Sequence, residues 1–242
     1  MEKLPSEFVA KMSHDLKTPV GNAMMYAELI TEDVKALSVE HPELKDQLEE
    51  LIHYCKNIHL SSSKLINAIQ SWGYTYQIED GVFELKNQET NLKELFQEVI
   101  DKNSVFIKGK LLDVSLDYQS VRETYHTDSE VMRLVFDNML ILFISLASQN
   151  SGFKVLVDDQ DGGIRIRFIA PKAAFSQNLI DMYSKDISIS DVLVPGQGIL
   201  KPGGYGLLFV NLVLRLLKAR HGVIPEQEGK EQPSYWMQLP LS

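Results

Sequence analysis

Two runs of apolar residues that step alternately by four and three positions leave the N-terminal part of this chain little choice of fold. Leu16, Val20, Ala23, Ala27, Ile30, Val34 and Leu37 make the first run. Leu44, Leu48, Leu51, Cys55, Ile58, Ser62, Leu65 and Ile69 make the second. A repeat averaging 3.5 residues keeps one stripe of an α-helix apolar along its length, the seam of a coiled coil. The break at Val39–Leu44 carries Pro42, whose fixed φ and missing N–H suit the start of a helix. Two helices joined by so short a connection fold back as an antiparallel hairpin. One hairpin leaves too much seam in water, so a homodimer, two hairpins forming a four-helix bundle, is expected.

Ahead of the first run, Val9, Met12 and Leu16 keep the rhythm, and the step from Leu16 to Val20 breaks it. Pro19 sits at that irregularity. A proline inside a helix removes one backbone hydrogen bond and usually kinks the rod, so a bend is expected there.

The composition, 44% hydrophobic and 24% charged over 242 residues, is that of a globular protein long enough to bury a sizeable core. A net charge of −9 without any Lys/Arg cluster argues against nucleic acid as a partner. Cys55 is the one cysteine, so no internal disulfide forms and a reducing compartment is expected. The apolar stretches Leu134–Ala147 and Tyr205–Leu217 are interrupted by polar residues and fall short of the roughly 20 that cross a bilayer. With a polar N-terminus and no signal peptide, the expected location is the cytoplasm, whether the chain stands alone or is the cytosolic part of a longer protein.

Beyond Trp72–Val82 the pattern changes to mixed elements. Asn91–Asn103 predicts a helix with Leu92, Leu95, Phe96 and Ile100 on one face, and Leu112–Leu116 alternates as a strand. Asp128–Ala147 predicts a long buried helix capped by Asp128 or Ser129. Phe153–Val157 and Ile164–Ile169 alternate around Asp161-Gly162-Gly163, a hairpin turn. Asn178–Tyr183 reads as a short helix, Ile187–Tyr205 as a loop, Gly206–His221 as a helix closed by Gly222, and Ser234–Leu239 as a last strand. The expected architecture is α plus α/β: a helical hairpin over residues 1–74, then an α/β sandwich over 75–242 with helices on one face of a mixed sheet.

The chemistry gathers in Ser13–Pro19, the string SHDLKTP. At about 100° per residue, His14 projects away from Met12 and Leu16 into solvent, among the small side chains of Ala10, Thr18 and Gly21. A bare histidine with small neighbours suits approach by a partner's active site. Imidazole is partly uncharged near neutral pH and is then a nucleophile. Asp15 is placed to orient the ring or accept its second proton, leaving the other nitrogen to attack a phosphoryl group. Thr18, four residues on, is placed to position a hydrolytic water. An exposed helical histidine beside an aspartate is also commonly inert.

In order, His14, Asp15, Leu16, Lys17, Thr18 and Pro19 resemble the H-box of sensor histidine kinases, where His, an acidic residue, Leu, a basic residue, Thr and Pro follow one another. The resemblance implies that His14 accepts a phosphoryl group, that Asp15 is its acid/base partner and that Thr18 is the phosphatase residue. It implies a response-regulator receiver domain as partner, and ATP with Mg²⁺ as cofactors. The remainder is similar in outline to the kinases' ATP-binding domain. Asp128–Leu140 resembles the helix of the N-box, Gly203–Leu208 the last glycine box, and Trp236–Leu241 the closing strand.

This second part departs from the family pattern. Asn138 matches the first asparagine of the N-box, but Leu142 stands where the second helps hold Mg²⁺, and a hard cation needs oxygen. Ser145 replaces a basic residue expected at the phosphates. The adenine-reading Asp-x-Gly-x-Gly has no match: Asp161-Gly162-Gly163-Ile164 is a hairpin turn, and Ala170-Pro171-Lys172-Ala173-Ala174, the equivalent point, has neither Asp nor Gly. Leaving an adenine donor unpaired costs roughly 1–3 kcal/mol. Gly203, Gly204 and Gly206 either cradle phosphate at a helix N-terminus or form a plain turn before a helix. The expectation is a dimeric phosphorelay protein exchanging phosphoryl groups through His14, as phosphotransferase or phosphatase, with ATP and Mg²⁺ bound weakly or not at all and no metal site of its own. An active ATP-dependent histidine kinase and a non-enzymatic dimeric scaffold are the alternatives.

Overall fold

A computed structural model of the chain describes residues 6–170, 204–224 and 234–240. The chain divides into two compact units, residues 1–82 and 83–242.

The first unit is a hairpin of α1 (Ser6–Glu40) and α2 (Lys45–Glu79), joined by a 3₁₀ turn at Pro42–Leu44. α1 stays helical across Pro19, whose missing N–H leaves the Asp15 carbonyl without its usual helical donor. The apolar seam splits in two. Ala27 and Val34 on α1, and Leu48, Cys55, Ser62 and Ile69 on α2, are buried. The alternate members Leu16, Ile30, Leu37, Leu44, Leu51, Ile58 and Leu65 are 42–49% exposed. The cause is geometric: residues seven apart share a face, whereas successive members of a 4-3 pattern point about 50° apart around the axis. One helix partner covers one row and leaves its neighbour as an apolar stripe.

In the second unit, β1 (Gln88–Asn91) pairs antiparallel with β3 (Thr124–Thr127). β2 (Asp113–Tyr118), β4 (Gly152–Gln160), β5 (Gly163–Ile169), β6 (Arg220–Ile224) and β7 (Ser234–Pro240) form a mixed sheet in the order β2-β4-β5-β7-β6. β2 and β4 run parallel, and the other neighbours are antiparallel. The helices are α3 (Leu92–Lys102), α4 (Ser104–Gly109), α5 (Ser129–Leu146) and α6 (Gly204–Leu216).

Side chains fix the ends of these elements. Asn91 accepts from the Glu94 amide at 3.1 Å to cap α3. One oxygen of Asp128 accepts from Glu130 and Val131 at 3.1 Å to cap α5, and the other accepts from the Lys86 amide at 2.9 Å. Lys110 Nζ donates to the Ile144, Ser145 and Ala147 carbonyls at 2.8, 3.1 and 3.2 Å, closing the other end of α5. β4 turns into β5 through Asp161 and Gly162, with φ of 48° and 76°, the pair of left-handed residues that a two-residue hairpin prefers.

Alternation in the strands sends Val155, Val157, Ile164, Ile166, Phe168, Met237 and Leu239 into the core. There Phe96 stacks on Phe136 with ring centroids 4.2 Å apart, and Phe168 lies 5.3 Å from Phe136 and 5.1 Å from Phe143. On the opposite sheet face Asp158 accepts from Arg165 Nε and Nη2 at 2.9 and 2.8 Å and from Arg167 Nη2 at 2.9 Å.

The helix expected over Gly206–His221 runs instead over Gly204–Leu216, and Gly222 does not cap it. Lys218, with φ of 53°, reverses the chain, and the Ala219 amide donates back to the Leu214 carbonyl at 2.8 Å, a Schellman-type ending. Gly222 lies in β6 because a Cβ there would meet the Trp236 indole at 3.2 Å. β1, α4 and β3 are four to six residues long and carry no periodic signal. The Asn178–Tyr183 helix and the loop up to residue 203 fall outside the described residues. Among the described residues no helix is long and apolar enough to cross a membrane.

Burial alone raises the pKa of Asp158, but hydrogen bonds and charge from Arg165 and Arg167 outweigh it and hold the carboxyl below its ordinary value. A folded-state pKa below the unfolded one adds stability above the unfolded value and loses it as pH falls through the folded value. Asp158→Asn is therefore expected to lower the urea midpoint at pH 7 and to approach the wild type at about pH 2–3. Paired urea melts at the two pH values measure this.

Candidate functional site

His14, Asp15 and Thr18 are brought together on an outward face of α1. The side chains of His14 and Asp15 are 83% and 63% exposed, and Thr18 is exposed too. His14 Nδ1 lies 3.4 Å from Asp15 Oδ1, at the long end of hydrogen-bond geometry. In the tautomer that carries its proton on Nδ1, this contact leaves Nε2 as the unprotonated, nucleophilic nitrogen. Thr18 lies one turn along the same face, and Gly21 a turn further has open space where a Cβ would project. The face is bare enough for another protein to approach closely.

On the inward side of the same turn, Ser13 is buried against Gly73 of α2. The sequence holds a faint signal of this contact, since a glycine inside a heptad helix often marks a close approach. Its partner lies on the other helix and is not readable from the pattern.

In the second unit Asn138 and Gly206 also meet. Asn138 Nδ2 donates to the Leu134 carbonyl, one turn back, at 2.8 Å, and a Cβ on Gly206 would collide with Asn138 Oδ1. Gly204 begins α6 and Gly206 lies inside it. Leu142, one turn after Asn138, is half-buried, and the Ser145 hydroxyl donates back to the Ile141 carbonyl at 2.8 Å. Ala170, just past β5, is 1% exposed, and residues 171–174 fall outside the described residues. A magnesium nucleotide asks for oxygen ligands and cationic partners. Asn138 turns its amide into its own helix and against Gly206, Leu142 has no oxygen and Ser145 no charge. These residues do not fit that cofactor.

Residues 6–70 match the family model of the His Kinase A (phospho-acceptor) domain. The sensor protein CopS of Pseudomonas syringae pv. tomato is 22% identical over 166 residues, which make up 69% of this chain and 31% of CopS. Full-length ShkA in complex with AMPPNP has a similar fold, with a TM-score of 0.62 at 15% identity, over 99% of this chain and 46% of ShkA. The histidine kinase AdeS of Acinetobacter baumannii gives 0.55 at 12% identity, over 86% of this chain and 95% of AdeS. The histidine kinase ThkA in complex with response regulator protein TrrA gives 0.51 at 16% identity, over 94% of this chain and 61% of ThkA. The chain thus spans about a third of the length of CopS and under half that of ShkA. These findings support a two-component histidine kinase core: a phospho-acceptor hairpin followed by the fold of the kinases' ATPase domain.

The Asn138–Gly206 contact makes a prediction that needs no ligand. Gly206→Ala is expected to destabilise the fold by about 1–3 kcal/mol through overpacking, read from urea unfolding. Asn138→Ala in the same chain removes the colliding oxygen and is expected to recover part of that loss.

Proposed function

From a two-component histidine kinase core, we propose that this chain exchanges a phosphoryl group through His14 with the aspartate of a response-regulator receiver domain. It works in the cytoplasm as a homodimer, and as a phosphotransferase and phosphatase rather than as an efficient ATP-driven autokinase. The observation that carries the reading is His14 itself: 83% exposed, a carboxylate 3.4 Å from Nδ1, on a helix that matches the phospho-acceptor family.

In the exchange, Nε2 attacks the phosphorus of the receiver's aspartyl phosphate. The P–O bond breaks, the receiver carboxylate leaves with its electron pair, and a P–N bond forms. The positive charge left on the ring lies beside Asp15, which steadies it or takes the Nδ1 proton. The reverse step returns the phosphoryl group to an aspartate. Thr18, on the same face, holds a water for hydrolysis. The stripe of half-exposed Leu and Ile residues on the hairpin supports pairing with a second copy, and residues 1–74 serve as the dimerisation and phosphotransfer domain. Residues 75–242 keep the ATPase-type fold with a degraded nucleotide site, a reading supported by Leu142 and by the inward turn of Asn138. The rival reading is an active ATP-dependent kinase, which requires labelling of His14 from [γ-³²P]ATP.

The test uses receiver domains charged with [³²P]acetyl phosphate. The wild type is expected to take up or release label, and His14→Ala to lose the exchange with an unchanged melting curve, because the imidazole makes no buried contact. Exchange that persists in His14→Ala contradicts the proposal. Thr18→Ala is expected to slow dephosphorylation about tenfold or more while transfer stays within about twofold.

A further inference from the structure

The turn that carries His14 is held against α2 at a point of unusually close approach. Ser13, directly before His14, is 6% exposed, and Gly73 facing it is buried. A Cβ built on Gly73 would lie 3.0 Å from Ser13 Oγ and 3.5 Å from Ser13 Cβ. Glycine within a helix sacrifices stability relative to alanine, so its use there calls for a packing reason, and here Ser13 supplies one. The Ser13 hydroxyl has no hydrogen-bond partner among the described residues. The contact therefore acts by shape alone. Along the inward face of α1, Lys17 and Val20 are only half-buried, and the next fully buried residue is Ala27. Ser13 on Gly73 is the steric stop in the same turn as His14.

We propose that Gly73 is a positioning residue for His14, setting the angle around the α1 axis at which the imidazole is presented to a receiver. The inference rests on the phosphoryl-exchange reading above. His14 follows Ser13 on one rigid helix, about 100° around its axis, so any turn of α1 forced at Ser13 moves the imidazole with it. A methyl at position 73 would press on Ser13 Oγ more tightly than ordinary van der Waals contact allows, so Ser13 has to give by a few tenths of an ångström, and in this proposal it carries α1 with it. In-line attack on phosphorus is sensitive to such misplacement, whereas docking over a wide face is much less so. A small phosphoryl donor reaches an imidazole that is 83% exposed from any side.

The test separates these cases on the full chain. Phosphoramidate phosphorylates His14 directly: its P–N bond breaks, ammonia leaves with a proton, and a new P–N bond forms on the ring. The phosphorylated protein is then chased onto receiver domains from the same organism. Gly73→Ala is expected to react with phosphoramidate at the wild-type rate and to melt at the wild-type temperature or higher, as alanine favours helix. Its limiting transfer rate is expected to fall about tenfold, with the half-saturating receiver concentration within about twofold. Ser13→Ala in the same chain removes Oγ, leaves Cβ at an ordinary contact distance, and is expected to restore the rate. A wild-type rate in Gly73→Ala, or a slow rate that Ser13→Ala leaves unchanged, overturns the inference alone. Failure of the wild type to transfer to any receiver overturns the exchange reading and this inference with it.

Discussion

The hairpin depends on how one apolar repeat is shared between two surfaces. α1 and α2 bury one row of their seam and leave seven large aliphatic side chains of the neighbouring row nearly half in water. Burying the remainder of each would contribute roughly 1 kcal/mol. Summed over two copies, that is of the order of the roughly 4–15 kcal/mol that association costs in lost freedom. The inner row is the weaker one, since it includes Ser62, Cys55 and Ala27. The proposed second copy therefore supplies much of the apolar contact that a hairpin of this composition lacks. The outward face with His14, Asp15 and Thr18 is spared from both rows, which leaves it open to a visiting protein.

What the sequence made legible is what depends on near neighbours along the chain. The 4-3 steps, the Asp128 cap of α5 and the left-handed pair at Asp161 and Gly162 are local, and each is found where local chemistry puts it. The splitting of the seam was hidden, because periodicity shows that a stripe is apolar without showing which partner covers which edge. Gly222 misleads for a similar reason: after a helix it resembles a cap, but its role is to fit under Trp236 across a strand pair. The turn it seemed to supply belongs to Lys218, a residue with no preference for left-handed backbone. Among the candidate site residues, the outward placement of His14, Asp15 and Thr18 followed from helix geometry. The contacts Ser13–Gly73 and Asn138–Gly206 join residues on different helices, and each appears in the sequence only as a glycine without a stated partner.

The two units treat the inherited chemistry differently. On α1 the residues proposed to move a phosphoryl group, His14, Asp15 and Thr18, are exposed to solvent. On α5 and α6 the corresponding positions differ: Asn138 bonds its own helix and lies against Gly206, while Leu142 is half-buried and offers no oxygen. The proposed function follows this division, with exchange retained at His14 and nucleotide chemistry given up.

Calorimetric titration of the full chain with Mg·ATP tests that division most directly. No saturable heat is expected at millimolar nucleotide. A saturable isotherm in the micromolar range, together with label from [γ-³²P]ATP on His14, would contradict it and make the chain an active kinase.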